Sequence, residues 1–520
     1  MSALLKLICL SVLMAALAAC GSSNDNDSPD DGAEPPPAAT RGSLIQSPPA
    51  RTASVTSTEL LAALSASSIG QQLLQLITAP ECGIDIHQLQ YNTVDAVGQP
   101  TTASGAMMIP TGSDAACQGP RPIVVYAHGT QVVRAYNIAN IADEDNAEGL
   151  LIAAVFASQG YIVVAPNYAG FDSSALTYHP FLNAEQQSKD TADSLTAARS
   201  SLPTSFAPGV TDSGKLFITG YSQGGYVAMA THRLLQQSGT TVAASAPMSG
   251  PYALAAFGDA VFYGNVVGSA PLFVTYAVTG YQRAYANIYT NPTDFFEARY
   301  AAGIDTLLPT AGSRSDLFAQ GKLPAEQLFD STPPDPSYAP YTPSTIPADL
   351  AHVFALGFGP DHLVTNAYRL AYLQDAQANP DGGFPATTDG LPAASPANGL
   401  RQAFKANDLR NWSPASPVLL CAGNEDPTVL YMNTQLMQAY WEANSAATSL
   451  KVLDVDGDVS LDDPDAGLKA GFATAKAAVA ASAIAGGATD NGAAAVSEAY
   501  HSTLVPPFCL AAVRSFFDGL

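Results

Sequence analysis

The chain has 520 residues, with 21 Lys and Arg against 45 Asp and Glu and a formal net charge of −24. So acidic a balance repels phosphate backbones and argues against nucleic acid as a partner. Only 13% of residues are charged and 47% are hydrophobic, which excludes a disordered, charge-rich chain and leaves room for one large domain with an insertion, or for two domains.

Lys6 precedes an apolar run, 7–19, that is too short to cross a bilayer as an ordinary helix. The run ends Leu17-Ala18-Ala19-Cys20 and resembles a bacterial lipoprotein signal; the alternative is an ordinary secretory signal. The expectation is a signal over 1–19 and a lipidated Cys20 that attaches an exported protein to the cell envelope, at the outer membrane, without spanning it. Residues 20–55, rich in Ser, Asn, Asp, Pro and Ala, read as a flexible tether.

A helical segment is expected over 56–80. Two extended runs between 84 and 110 flank the turn-rich stretch 95–100 and predict a hairpin. Buried strands follow at 122–130, ending His128-Gly129-Thr130, and at 161–165, with helical patterns at 148–159 and 184–202. The apolar run 216–219 enters Gly220-Tyr221-Ser222-Gln223-Gly224, and a helical pattern covers 226–237. Strand, tight turn and helix are the setting that makes G-x-S-x-G a nucleophile elbow, with Gly220 and Gly224 small because strand and helix pass close together. A strand at 241–247 follows.

The alternation then stops over about 160 residues of helical fragments, aromatics and Pro/Gly loops, and resumes with a strand at 416–423, a helix at 431–445, a strand at 450–455 and a last helix at 502–517. The apolar stretch 261–281 is broken by Asn265, Pro271 and glycines, and reads as cap helix facing substrate rather than as a membrane span. The predicted class is α/β: a mostly parallel sheet with helices on both faces and a large, mainly helical cap inserted after the sixth strand. The divisions are core 56–250, cap 251–412 and core 413–520.

A serine hydroxyl needs a base within reach, and the base needs an orienting acid. An elbow on such a sheet predicts the chain order Ser, acid, His. Of the seven histidines, His87, His128 and His179 precede Ser222, His232 lies on the helix after the elbow and His352 and His362 fall in the cap, which leaves His501, just before the final helix, as base. Asp426, on the loop after the resumed strand, is the expected acid, with Glu425 as its rival. Oxyanion donors are expected at the backbone N–H groups of Gln223 and Thr130. His128 reads as structural.

Cys82 and Cys117 flank the hairpin, while Cys421 precedes the acid loop and Cys509 follows the base. Bridges Cys82–Cys117 and Cys421–Cys509 are the favoured one of three pairings, since the second would pin acid to base. The aspartates 454, 456, 458, 462 and 465 have the spacing of a calcium loop, but Val459 stands where glycine belongs. A solvated acidic loop is the favoured reading of Asp454, Asp456, Asp458, Asp462 and Asp465, with calcium the alternative. The alanine-rich segment 466–495 reads as an insertion.

The segments Ala165-Pro-Asn-Tyr-Ala-Gly-Phe-Asp172, His179-Pro-Phe181 and Gly220-Tyr-Ser-Gln-Gly-Gly225 resemble the secretory lipase family, the lipase A-like α/β-hydrolases, over 84–250 and 413–518. Family members often carry Asp where Asn167 stands. The resemblance implies Ser222 as nucleophile, Asp426 as acid, His501 as base and no required cofactor. The expected function is an exported serine ester hydrolase acting on esters with an apolar acyl or aryl group. A peptidase or an aryl or polyester esterase using the same triad is the alternative, and a non-catalytic lipoprotein that binds a hydrophobic ligand is a further one.

Overall fold

A computed structural model describes residues 40–143, 146–202, 209–381, 391–444, 449–460 and 462–520. The expected signal at 1–19, Cys20 and the start of the tether lie outside the described residues, as does Leu461 within the acidic loop.

Nine strands form one sheet: β1 Ala50–Val55, β2 Gly83–Val94, β3 Pro100–Thr111, β4 Gly119–Ala127, β5 Ile162–Pro166, β6 Val210–Tyr221, β7 Ala244–Met248, β8 Val418–Ala422 and β9 Leu450–Asp454. Their order is β1-β2-β3-β5-β4-β6-β7-β8-β9. The pairings β1–β2, β2–β3 and β3–β5 are antiparallel. From β5 through β4 to β9 every pairing is parallel. The fold is that of an α/β-hydrolase.

The inner parts of the parallel strands are apolar and buried because helices cover both faces, yet their side chains still alternate. Ile123, Val125, Val164, Leu216 and Ile218 pack on one side with Leu195 and Ala198, from the helix Ala184–Ser201. Val124, Tyr126, Val163 and Phe217 pack on the other with Phe156, Val513 and Phe517. The rings of Phe217 and Phe517 stack at 4.4 Å, which brings the C-terminal helix Val505–Asp518 under the central strand.

The tether expected as far as residue 55 is corrected for its last part. Residues 50–55 are β1, and Leu44 already bridges to Tyr91. Backbone pairing on the open edge of β2 does not require apolar side chains, and the first three residues of β1 are exposed. Two ion pairs help to hold the segment, Arg41 to Asp193 and Arg51 to Asp85, both at 3.0 Å. This added strand moves the cap insertion to after the seventh strand rather than the sixth.

Between β7 and β8 the chain is mainly helical. The apolar stretch 261–281 divides between two helices, Leu254–Phe262 and Ala270–Tyr285. Gly264, at φ 98°, lies between them, and a Cβ there would come within 2.3 Å of the Tyr341 carbonyl oxygen. Behind the first helix, buried Arg401 donates to Asp259 through Nε (2.9 Å) and Nη2 (2.8 Å), and to Asp375 through Nη1 (2.8 Å). Both expected disulfides are formed. Cys82–Cys117 closes the hairpin, and Cys421–Cys509 joins β8 to the C-terminal helix.

Candidate active site

β6 ends at Tyr221, and Ser222 turns the chain with φ 58° and ψ −122° before the helix Gln223–Gln237. That backbone is strained for a residue with a Cβ, and such strain collects at functional positions. The turn is too tight for side chains around it. A Cβ on Gly220 would lie 2.4 Å from the Gly224 carbonyl oxygen, and one on Gly224 would lie 1.9 Å from that of Ala127.

Three expected residues, 75 to 279 positions apart in the chain, meet here. His501 Nε2 lies 2.8 Å from Ser222 Oγ, and His501 Nδ1 lies 2.6 Å from Asp426 Oδ2. Asp426 is fully buried, and its other oxygen accepts the N–H groups of Thr428 (2.9 Å) and Val429 (3.0 Å). This fixes which carboxylate oxygen faces the ring. Glu425, the rival acid, turns away to Lys476 Nζ at 2.5 Å. His501 sits in a single π turn, Tyr500–Leu504, and Tyr221 donates its hydroxyl to the His501 carbonyl at 2.5 Å. Cys421 and Cys509 bracket the pair in sequence, so the bridge ties the strand before Asp426 to the helix after His501.

Two further groups approach the turn. The side-chain amide of Gln223 donates to His179 Nε2 at 2.7 Å, and His179 Nδ1 faces the Ala169 carbonyl at 3.0 Å. Burial pushes His179 down to about 3, so its ring is neutral and can accept that bond. His179 was visible in the sequence, but its partner on the elbow was not. Gly129, next to Thr130, donates its N–H to both oxygens of Glu148, at 3.1 and 3.0 Å. Neither Tyr221 nor Glu148 carried a sequence signal of its own, since each is defined by a contact across the fold.

His128 is buried, with ring nitrogens 2.6 Å from the Gly129 carbonyl and 3.2 Å from that of Asn167, and burial pushes it down to about 4. Asn167 accepts the Ile138 N–H (2.8 Å) and donates to Ser104 Oγ (2.9 Å), a double task that suits an amide.

A cavity opens at Ser222, with roughly 730 Å³ of empty space including its open mouth. Thr130, Gln223, Thr428 and Val429 stand with Ser222 at its reacting end. Leu254, Phe257, Val261, Phe262, Phe273 and Phe404 supply apolar walls. No charged side chain lines it among the described residues.

The acidic loop has a solvated reading as the favoured one and calcium as the alternative. Asp454 is engaged by Asn424, Asp456 by Lys476 and Tyr500, and Asp465 by Lys451. These three carboxylates are taken up by protein groups, and no group of three or more side chains placed to hold a metal ion occurs among the described residues.

Residues 150–264, well short of half the chain, match the family model of the prolyl oligopeptidase family. No curated protein matches the chain. Among solved structures, the G-to-F mutant of the rice cell wall degrading esterase LipA from Xanthomonas oryzae superimposes with a TM-score of 0.64 at 26% identity, covering 92% of this chain and 99% of that one. Another crystal structure of LipA gives 0.61 at 27%, covering 84% and 94%. Candida antarctica lipase A in its closed state gives 0.46 at 14%, covering 80% and 77%.

Proposed function

Because the chain is an α/β-hydrolase, we propose that it is a serine carboxylic-ester hydrolase acting through Ser222, His501 and Asp426. The observation that carries this reading is the continuous Ser222–His501–Asp426 hydrogen-bond line at the mouth of an apolar cavity. Ser222 Oγ attacks the ester carbonyl carbon while His501 Nε2 takes its proton. Asp426 holds Nδ1–H toward itself and stabilises the imidazolium. The oxyanion is received by the N–H groups of Gln223, at the positive end of its helix, and of Thr130. His501 returns the proton to the departing alkoxide, leaving an acyl-serine. Water, deprotonated by the same nitrogen, then clears the acyl group.

The cavity favours apolar acyl or aryl groups, since burying a charge there would leave it unpaired. The likeness to the esterase LipA supports ester chemistry. The two disulfides support an oxidising, extracytoplasmic setting, and attachment through Cys20 belongs to the same proposal. The match to the prolyl oligopeptidase model keeps a serine peptidase as the second reading. Incubation with a fluorophosphonate, followed by peptide mass spectrometry, tests the nucleophile: the adduct is expected on Ser222, and an unlabelled protein refutes the proposal. Turnover of aryl esters but not of the matching anilides separates esterase from peptidase.

A further inference from the structure

Glu148 stands at the start of the helix Ala147–Val155, across from the elbow. Both of its oxygens accept the Gly129 N–H, and Oε1 also accepts the Tyr126 hydroxyl at 2.7 Å. The contact is close: a Cβ on Gly129 would lie 3.3 Å from Oε2, so that the carboxylate would have to give by a few tenths of an ångström, and 3.6 Å, in ordinary contact, from the Tyr221 carbonyl oxygen. Gly129 immediately precedes Thr130, whose N–H is assigned to the oxyanion. The carboxylate therefore fixes the His128–Gly129 peptide, which is next in the chain to the peptide that carries that donor. The same carboxyl feels the charge of His501.

We propose that Glu148 is a positioning residue for the reaction at Ser222. Its carboxylate holds the Gly129–Thr130 turn in place, and its negative charge stabilises the His501 imidazolium that forms as Ser222 attacks. This rests on the ester-hydrolase reading of the same site.

Removal from water pushes the Glu148 carboxyl up to about 7, so it changes charge near neutral pH. The groups facing it are the hydroxyls of Tyr126, Tyr136, Tyr168 and Tyr221, together with His501. Burial holds all four tyrosines well above their ordinary value, so they stay neutral, and His501 is the neighbour whose charge changes during turnover. The Tyr126 hydrogen bond favours the ionised carboxyl. Two substitutions should therefore move the acid side of the pH profile in opposite directions. Glu148→Gln removes both the titration and the charge that favours imidazolium, so the acid limb moves to lower pH and loses one proton's steepness. Tyr126→Phe raises the Glu148 value further, so the limb moves to higher pH.

The test is the rate at which a fluorophosphonate labels Ser222 across the pH range in the full-length protein and in these two variants. The expected result is opposite displacement of the acid limb, with labelling of Glu148→Gln slowed about tenfold at neutral pH, less than the roughly hundredfold or more lost when an oxyanion donor is removed outright. Tyr126→Phe deletes a single hydroxyl and keeps the test decisive if Glu148→Gln does not fold. Variants that label with the wild-type rate and pH dependence overturn the inference while the nucleophile stands. A wild-type protein that does not label overturns the ester-hydrolase reading itself.

Discussion

Replacing Arg401 by methionine tests how the cap holds the cavity. The guanidinium is 3% exposed, and its carboxylate partners Asp259 and Asp375 are 2% and 7% exposed. It also donates to the Asn379 carbonyl at 2.8 Å. Methionine would fill the space of the stem but leave two buried carboxylates without their cation. Breaking a buried ion pair in this way costs about 3–5 kcal/mol. For the folded unit that runs from Ala39 to Leu520, an unfolding entropy of about 2 cal/mol/K per residue gives roughly 1 kcal/mol/K, so the melting temperature should fall by about 3–5 °C.

The same change should reach the substrate. Asp259 lies on the helix whose Leu254, Phe257, Val261 and Phe262 face the cavity. Loosening that helix should lower kcat/KM for long acyl esters more than for acetate, while fluorophosphonate still labels Ser222. Scanning calorimetry and a chain-length series of p-nitrophenyl esters read both effects. An Arg401→Met protein with the wild-type melting temperature and chain-length profile would refute the reasoning.

Asp426→Asn should lower kcat by about 10³–10⁴-fold with the fold intact, because the N–H groups of Thr428 and Val429 hold the amide oxygen and turn the NH₂ toward His501 Nδ1, forcing the wrong tautomer. Circular dichroism beside steady-state kinetics checks this, and activity within tenfold of wild type would contradict it. Replacing Cys421 and Cys509 together by alanine releases a loop of 88 residues and should cost roughly 4–5 kcal/mol, against roughly 4 for the 35-residue Cys82–Cys117 loop. Denaturant titration should rank the two losses in that order. Buried Asp190 is pushed by desolvation up to about 7 and unfolds to an ordinary carboxyl. The folded state therefore binds more protons between about pH 4 and pH 7, and this group's contribution to stability falls as pH rises through that window and levels off above it. Asp190→Asn should remove that part of the slope in a melting-temperature profile, and parallel profiles would refute the assignment.

The three side chains that meet at the elbow were legible in the sequence from chain order. Ser222 announces itself through the two glycines that its turn demands. His501 follows by position before the last helix, and Asp426 by position after a resumed strand. The parallel strands were legible because most of them carry an apolar run, as at 123–127, 162–165, 216–218 and 418–422. β1 was not, because an edge strand is held by backbone bonds while its side chains face water, so its composition is that of a linker. The acidic loop left two readings open, a solvated loop as the favoured one and calcium as the alternative. Its spacing resembles a calcium site, but Lys451 and Lys476, apart in sequence, take up its carboxylates. Tyr221, Glu148 and the His179–Gln223 contact depend on side chains meeting across the sheet, and no local pattern encodes them.

The most direct measurement is hydrolysis of p-nitrophenyl esters, from acetate to palmitate, by the full-length protein and by Ser222→Ala. The account predicts turnover by the wild type, with loss of at least about a thousandfold in kcat for the variant. Turnover that survives the substitution, or a wild-type protein that neither cleaves any ester nor reacts with a fluorophosphonate, would contradict it.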